Sequence, residues 1–404
     1  MSSISFCVGV DLGNDKHAVC VLDPLRRVVK SCIVENDLRL LDVIATAIGD
    51  ASPASVHIGL EDRNNVVVDA LLAGGFAVFT ANPKQVDRFR DRETVAGAKD
   101  DRRDASVLAN ALATDEALFQ RVAVLSEAEV AMRSLTATLV ELDDDHRRVS
   151  NRLRAVVLRF FPALLALCEG ADQAWFWALL LRLGDAEAAA SVRKVTIASL
   201  LKAHRKRAVS ADDVIAAIKA RHLPTGPGVK ETCRQHVATL VSQLTVVATQ
   251  RTRTTKARDA LLAELEKPRT DGSVSDAAIL RSMPGIGSKT LAVLFSDCLP
   301  LLVAGNLKQL RGMSGVAPVT KQSGKGRRVT MRWACNARVR GALFHVATTA
   351  SRQDNQFKAK YASQIEKGHS HARALRSVAD AQLHVLVAMF KSRTTYQDRT
   401  ALAA

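Results

Sequence analysis

Aromatic residues make up only 4% of this 404-residue chain, so the stacked aromatic platforms that hold single-stranded nucleic acid cannot be its main contact surface. Long apolar runs are also missing. The longest, Ala163–Cys168 and Trp175–Leu181, fall far short of the roughly 20 residues that span a bilayer, so no membrane segment is expected. The first residues, MSSISFCVGVDLG, lack the basic and apolar regions of an export signal. The seven cysteines (7, 20, 32, 168, 233, 298 and 335) are scattered without a CxxC pair. They read as core thiols of a reduced, cytoplasmic protein rather than a disulfide or zinc framework. The histidines, His17, His369 and His371 among them, show no metal-ligand spacing. The most informative absence is local. Between Asp297 and Asp354 there is no acidic residue, while Lys308, Arg311, Lys321, Lys325, Arg327, Arg328, Arg332, Arg338, Arg340 and Arg352 all fall there.

What is present is a strong excess of positive charge, 57 Lys and Arg against 41 Asp and Glu, for a net of +16. Hydrophobic residues at 48% and charged residues at 24% exclude a disordered or collagen-like chain. Residues 1–120 carry 13 basic and 18 acidic side chains, whereas the remainder carries 44 and 23. The charge therefore belongs to the later part, where it points to a polyanion held through its phosphates.

Three regions are expected: 1–120, 121–270 with inserted helices at 160–225, and 276–395. In the first, Phe6–Asp11, His17–Asp23 and Val28–Glu35 predict an antiparallel meander, separated by turn-like GND and DPLRR. A helix over Leu38–Ile48, a strand over Ser55–Glu61, a helix over Asn65–Leu72, a strand over Ala77–Thr80 and a helix over Asp101–Ala113 follow. This βββαβαβα order predicts an α/β domain of the ribonuclease H type. From 121 the chain reads as helix. Ala128, Met132, Leu135, Leu139, Leu142, His146, Val149, Leu153 and Val156 form one heptad seam, and Cys233, Val237, Leu240, Leu244, Val247, Arg251, Thr254, Arg258, Leu261 and Leu265 a second. They predict an antiparallel pair of long, coiled-coil-like helices, with internal packing and dimerisation both open. After the linker KPRTDGSVSD comes a helical C-terminal domain.

Four carboxylates stand out. Asp11 and Glu61 each end an apolar strand, and Asp101 and Asp104 lie three apart on one helix face. A sheet of this order would gather them, and such a cluster requires cations, two Mg²⁺ or Mn²⁺ ions being the usual solution. Singly, each reads equally as a turn or helix-capping residue. Gly285 and Gly287 in MPGIG fit a helix-hairpin-helix with Lys289 at the next helix start, a phosphate grip, or else a plain packing corner. Ser323 lies in a loop with Lys321, Lys325, Arg327 and Arg328, followed by Arg332. The loop reads first as a phosphate cradle and second as a nucleophile with cations beside it.

The motifs VGVDLGNDKHAV, GLE, NPKQVDRFR, AKDDRRDA, MPGIG and GVAPVTKQSGKGRR together resemble the DEDD transposases of the IS one-ten insertion sequences, relatives of the pilin-gene invertases. The resemblance implies a RuvC-like domain whose metal-binding carboxylates are Asp11, Glu61, Asp101 and Asp104. It further implies a C-terminal transposase domain whose nucleophile is Ser323, forming a phosphoserine link to DNA. It implies donor and target DNA as substrates, a structured bridge RNA as guide, and a homo-oligomer, a dimer that becomes a tetramer on DNA. Asp62, Arg63, Asn64 and Asp100 depart from the usual residues around two carboxylates. The stretch 162–225 is long for the family and reads as an RNA-binding or a structural insert. A Holliday-junction resolvase or structure-specific nuclease using metal-activated water, a site-specific DNA invertase, and a nucleic-acid-binding protein with a degenerate site are the competing readings.

Overall fold

The computed structural model describes residues 4–62, 65–93, 100–221, 223, 225–324 and 326–398, with backbone alone for Glu93, Pro227 and Arg327. It divides into two compact units, Met1–Val124 and Leu125–Ala404.

The first unit is mixed α/β. Strands β1 (Phe6–Leu12), β2 (Lys16–Leu22) and β3 (Val28–Glu35) form the expected meander, followed by α1 (Arg39–Ile48), β4 (Val56–Leu60), α2 (Val66–Ala73), β5 (Ala77–Thr80), α3 (Pro83–Glu93), α4 (Asp101–Asp115) and β6 (Gln120–Arg121). All six strands share one sheet in the order β3-β2-β1-β4-β5-β6. β1 pairs antiparallel with β2 and parallel with β4, and β4 pairs parallel with β5. Both sheet faces are covered. Val8, Val10, Val19 and Val21 pack with Leu40 and Ile44 of α1, while Ala18, Cys20 and Leu22 pack with Ala105 and Ala109 of α4. Small residues bring α4 unusually close. A Cβ on Gly9 would lie 2.0 Å from the Ala105 carbonyl oxygen, so only glycine fits beneath the helix.

Helix α3 escapes the periodicity reading because, among its described side chains, only Val86 and Phe89 are buried. Too few apolar positions recur to mark a face.

The second unit is mostly helical. Helices α5 (Glu127–Phe160), α6 (Ala174–Leu183), α7 (Ala186–Ala190), α8 (Lys194–Ala203), α9 (Ala211–Lys219) and α10 (Pro227–Leu265) precede α11 (Asp276–Ser282), α12 (Ser288–Val303) and α13 (Leu307–Met313). A hairpin of β7 (Val319–Ser323) and β8 (Gly326–Thr330) leads to α14 (Ala337–Ala350), α15 (Gln356–Glu366) and α16 (His371–Ser392). Ser126 starts α5 with a capping box to Glu129. Helices α5 and α10 run antiparallel: Met132 and Leu262 share one core with α11–α16, and Leu153 and Val157 share another with Cys233, Val237, Leu240 and Leu244.

On α5 the buried stripe includes Met132, Thr136, Leu139, Ser150, Leu153 and Val157. Leu135, Val149 and Val156 of the expected seam are only half-buried. Counting apolar residues favours the leucines. At Thr136 the fold turns a polar neighbour inward because it finds a partner there, its Oγ1 meeting Ser296 Oγ at 3.2 Å, whereas the buried Ser150 hydroxyl has no hydrogen-bond partner among the described residues.

Candidate catalytic carboxylates and nucleic-acid surface

Asp11 lies near the C-terminal end of β1, and Glu61 directly follows β4, its parallel neighbour in register through Gly9 and Gly59. Both glycines face α4, because a Cβ on Gly59 would touch Leu112 and the Leu108 carbonyl. Two residues on within β1, Asp11 points to that same face, and Glu61 emerges just past the adjacent end of β4. Asp101 is exposed at the first position of α4, and Asp104 is buried one turn on.

A residue without an assigned role in the sequence reading completes this region. Arg90 of α3 donates from Nε to Asp104 Oδ1 at 2.8 Å and from Nη1 to Asp87 at 2.9 Å. The Asp104 contact chiefly, with Asp87 and Glu61 adding, holds the guanidinium above its ordinary pKa. Arg90 therefore links Glu61 and Asp104 electrostatically. Its only sequence signal is the motif NPKQVDRFR. Among the described residues no group of three or more His, Cys, Asp or Glu is gathered tightly enough to hold a metal ion. The structure thus joins Glu61 and Asp104 through a cation, puts Asp11 beside Glu61 on the sheet, and leaves Asp101 at the exposed helix start.

In the second unit, Ser323 is not in a loop but ends β7, paired with Gly326 at the tip of the hairpin, and it is exposed. Val319, Thr320, Val329 and Thr330 supply β-branched residues, and Gly324 adopts φ +53°, which favours the tight reversal. Lys321 stands directly across from Arg328. Like charges opposed on an isolated two-stranded ribbon repel. An anion between them would remove that penalty. Lys325 and the side chain of Arg327 lie outside the described residues. Arg332 spends its Nε on the Ala317 carbonyl at 3.1 Å, while Arg311 and Arg338 are paired with Asp380 and Asp297. Lys321, Arg328 and Arg340 have no ion-pair partner among the described residues.

The two MPGIG glycines differ. Gly285, at φ +90°, packs against α14, where a Cβ would sit 2.4 Å from the Val346 oxygen. Gly287 opens α12 with nothing within 4 Å of its would-be Cβ, and its N–H donates to Thr290 Oγ1 at 3.0 Å. Lys289 bonds Asp143 at 2.7 Å, and Arg251 bonds the same carboxylate at 2.6 Å. These interrupt the apolar seam beside a cleft of about 590 Å³ that His146, Lys256 and Arg258 also line. Burial alone would raise the Asp143 carboxyl, but the Lys289 and Arg251 contacts outweigh it and hold it below the ordinary value of 3.8. Its stabilisation is therefore complete at neutral pH and lost as pH falls through the folded value. Asp143→Asn is expected to cost about 1 kcal/mol at pH 7, because the side chain is partly exposed and screened. The difference from wild type should fade in acid, once the pH has dropped through the lowered folded value, in thermal unfolding scans. A difference that persists there would mean that the carboxylate charge is not its source.

Comparison with known proteins follows these two regions. A family model for a DEDD transposase of the IS110 type matches residues 8–162, and the model of the transposase IS116/IS110/IS902 family matches residues 277–362. A putative transposase, y4uE, of Sinorhizobium fredii is 36% identical over 203 residues, 49% of this chain and 56% of that protein. The chain thus matches little more than half the length of that relative. The mini-circle putative transposase for IS117 of Streptomyces coelicolor is 27% identical over 98% of this chain and 96% of its own. The insertion element IS110 43.6 kDa protein of the same organism is 29% identical over 75% and 73%. With Asp11, Glu61, Asp101 and Asp104 inside the first matched segment and Ser323 inside the second, this chain belongs to the IS110 family of DEDD transposases.

Proposed function

We propose that the protein cuts and rejoins DNA with a divalent-metal carboxylate site in its first unit and the Ser323 hydroxyl in its second. The observation that carries this reading is the emergence of Asp11 and Glu61 at adjacent ends of parallel strands in the sheet that α4 covers, with Asp101 and Asp104 in the first turn of that helix. The order β3-β2-β1-β4-β5, antiparallel then parallel, supports a ribonuclease H or RuvC-like sheet. The pair α5 and α10 supports a coiled-coil-like region, and α11 with α12 around Gly285 a helix-hairpin-helix.

Carboxylate oxygens are hard donors and fit Mg²⁺ or Mn²⁺. Asp11, Glu61 and Asp101 would hold the ion, with Asp104 joining on release from Arg90, its present counter-charge. Such an ion would supply charge stabilisation to a phosphodiester under attack. The residues of this chain do the rest. Lys321 and Arg328 hold a backbone phosphate beside the hairpin tip. Ser323 Oγ forms a bond to phosphorus as one P–O bond of the strand breaks, the serine proton leaves to water or a carboxylate, and the departing DNA oxygen is protonated. The reverse sequence rejoins a strand. Sequence choice is delegated to a bridge RNA that pairs with donor and target, which suits a chain whose excess charge is spread over phosphate-holding surfaces. Homo-oligomers, a dimer and then a tetramer on DNA, bring the two kinds of site to one strand.

The test is a DNA–protein adduct that survives denaturation after incubation with Mg²⁺, the element's end DNA and its adjoining RNA. Ser323→Ala should lower the adduct to less than about a tenth of wild type. An undiminished adduct overturns the serine assignment. Cleavage with free 5′-phosphate ends and no adduct in the wild type indicates instead a nuclease using activated water.

A further inference from the structure

The chain has three tryptophans, and they are not alike. Trp175 and Trp177 are each 4% exposed, whereas Trp333 is 75% exposed, three residues beyond the end of β8. An indole left in water in so aromatic-poor a sequence calls for a partner. The Arg340 guanidinium stands 5.4 Å from its ring centroid. Arg340 also lines a groove of about 330 Å³ whose walls include Met331, Gly341, Phe344 and Arg376. Met331 and Phe344 are 36% and 45% exposed, and Arg340 and Arg376 have no carboxylate partner among the described residues.

Gly341 is a second, independent sign. It lies inside α14, where glycine costs about 1 kcal/mol relative to alanine. A Cβ there would meet nothing within 4 Å, and the backbone is not left-handed. The fold does not require this glycine. Its effect is to keep the groove open.

A flat exposed indole, a small apolar slot at the low end of ligand-pocket volumes, and unpaired guanidinium groups form a set. They suit a planar aromatic group attached to phosphates. An apolar peptide would leave the surrounding charge unused, since residues 298–353 contain no acid to complement a basic partner and ten cations to complement an anionic one. We propose that Trp333 and the groove beside Arg340 receive one unpaired base of the DNA strand on which the β7–β8 hairpin acts. The proposal rests on the DNA-rejoining reading above and adds to it a base-holding site that keeps the strand in place beside the hairpin.

The full-length protein can be titrated with three labelled DNA duplexes, identical except for a bulged thymidine, a bulged abasic residue or no bulge. Anisotropy and tryptophan fluorescence are read at one fixed salt concentration. Stacking of one base predicts that wild type prefers the thymidine bulge to the abasic one by about tenfold, with quenched fluorescence. Trp333→Ala should reduce the preference below about twofold, and Trp333→Phe should keep part of it. Gly341→Leu should also abolish the preference by filling the groove. Binding of the unbulged duplex should stay within about twofold for all three variants, which reports that the fold is intact. Equal binding of thymidine and abasic bulges by wild type, or a preference that survives both Trp333→Ala and Gly341→Leu, overturns the inference alone. A preference about tenfold stronger for the same bulge in RNA overturns the assignment to DNA. No binding to any duplex overturns it together with the DNA-rejoining reading.

Discussion

Asp11→Asn is expected to lower metal-dependent strand cleavage about a thousandfold while leaving DNA affinity within about threefold. The substitution keeps the shape of the side chain and removes one negative charge from the proposed carboxylate donor set. A metal ligand of this kind contributes several kcal/mol to charge stabilisation, and a thousandfold corresponds to about 4 kcal/mol. On the proposed reading DNA affinity resides elsewhere, on phosphate contacts of the second unit, so the two readouts should separate. Asp62→Asn is the control: Asp62 follows Glu61 beyond the end of β4, is exposed, and lies outside the four-carboxylate pattern. It should change cleavage less than about threefold. Cleavage rates measured with Mg²⁺ and with chelator decide the matter, and an Asp11→Asn protein that cuts within tenfold of wild type would remove the carboxylate from the mechanism.

Gly9→Ala should damage the first unit more than any other single methyl. The new carbon would lie 2.0 Å from the Ala105 oxygen and 2.6 Å from the Ala109 nitrogen, both backbone atoms of α4. No rotamer change relieves such a contact, so the helix must move away from the sheet. Overpacking of a closed core costs 1–3 kcal/mol or more, and here the upper end applies, about 3 kcal/mol. For a domain of this size that lowers the unfolding temperature by about 10 °C or more. Cleavage should fall further than stability alone explains, because α4 carries Asp101 and Asp104 away from Asp11 and Glu61. Gly312→Ala, with nothing within 4 Å of its Cβ position, should be neutral or mildly stabilising in the same scans. Unfolding of Gly9→Ala within 2 °C or so of wild type would mean that the strand and helix do not need glycine to meet.

Much of the first unit could be read from the chain because its strands are short β-branched runs divided by turn residues, and the bounds of β1, β2, β3 and β5 follow that pattern closely. What resisted reading had a physical cause in each case. The hairpin carrying Ser323 looked like a loop because Gly324 and Gly326 dominate its composition, yet pairing needs only the two β-branched residues at each base. On α5 Thr136 takes the buried place expected of Leu135 because it meets Ser296 of α12, a helix distant in sequence. Arg90 had no role because its value comes from Asp104 and Glu61, fourteen and twenty-nine positions away, and a single chain does not display that adjacency. Asp11, Glu61, Asp101 and Asp104 were visible as a pattern, whereas the counter-charge that now occupies Asp104 was not.

The opposition of Lys321 and Arg328 has a further consequence. A free two-stranded ribbon is marginal by itself, and facing cations weaken it more. On the reading of Ser323 as nucleophile, the strand being cut is also the electrostatic glue of the scaffold that presents it. Substrate capture and arming of the hydroxyl then form a single equilibrium, and raising the salt concentration should disarm the serine by the same measure that it loosens the DNA.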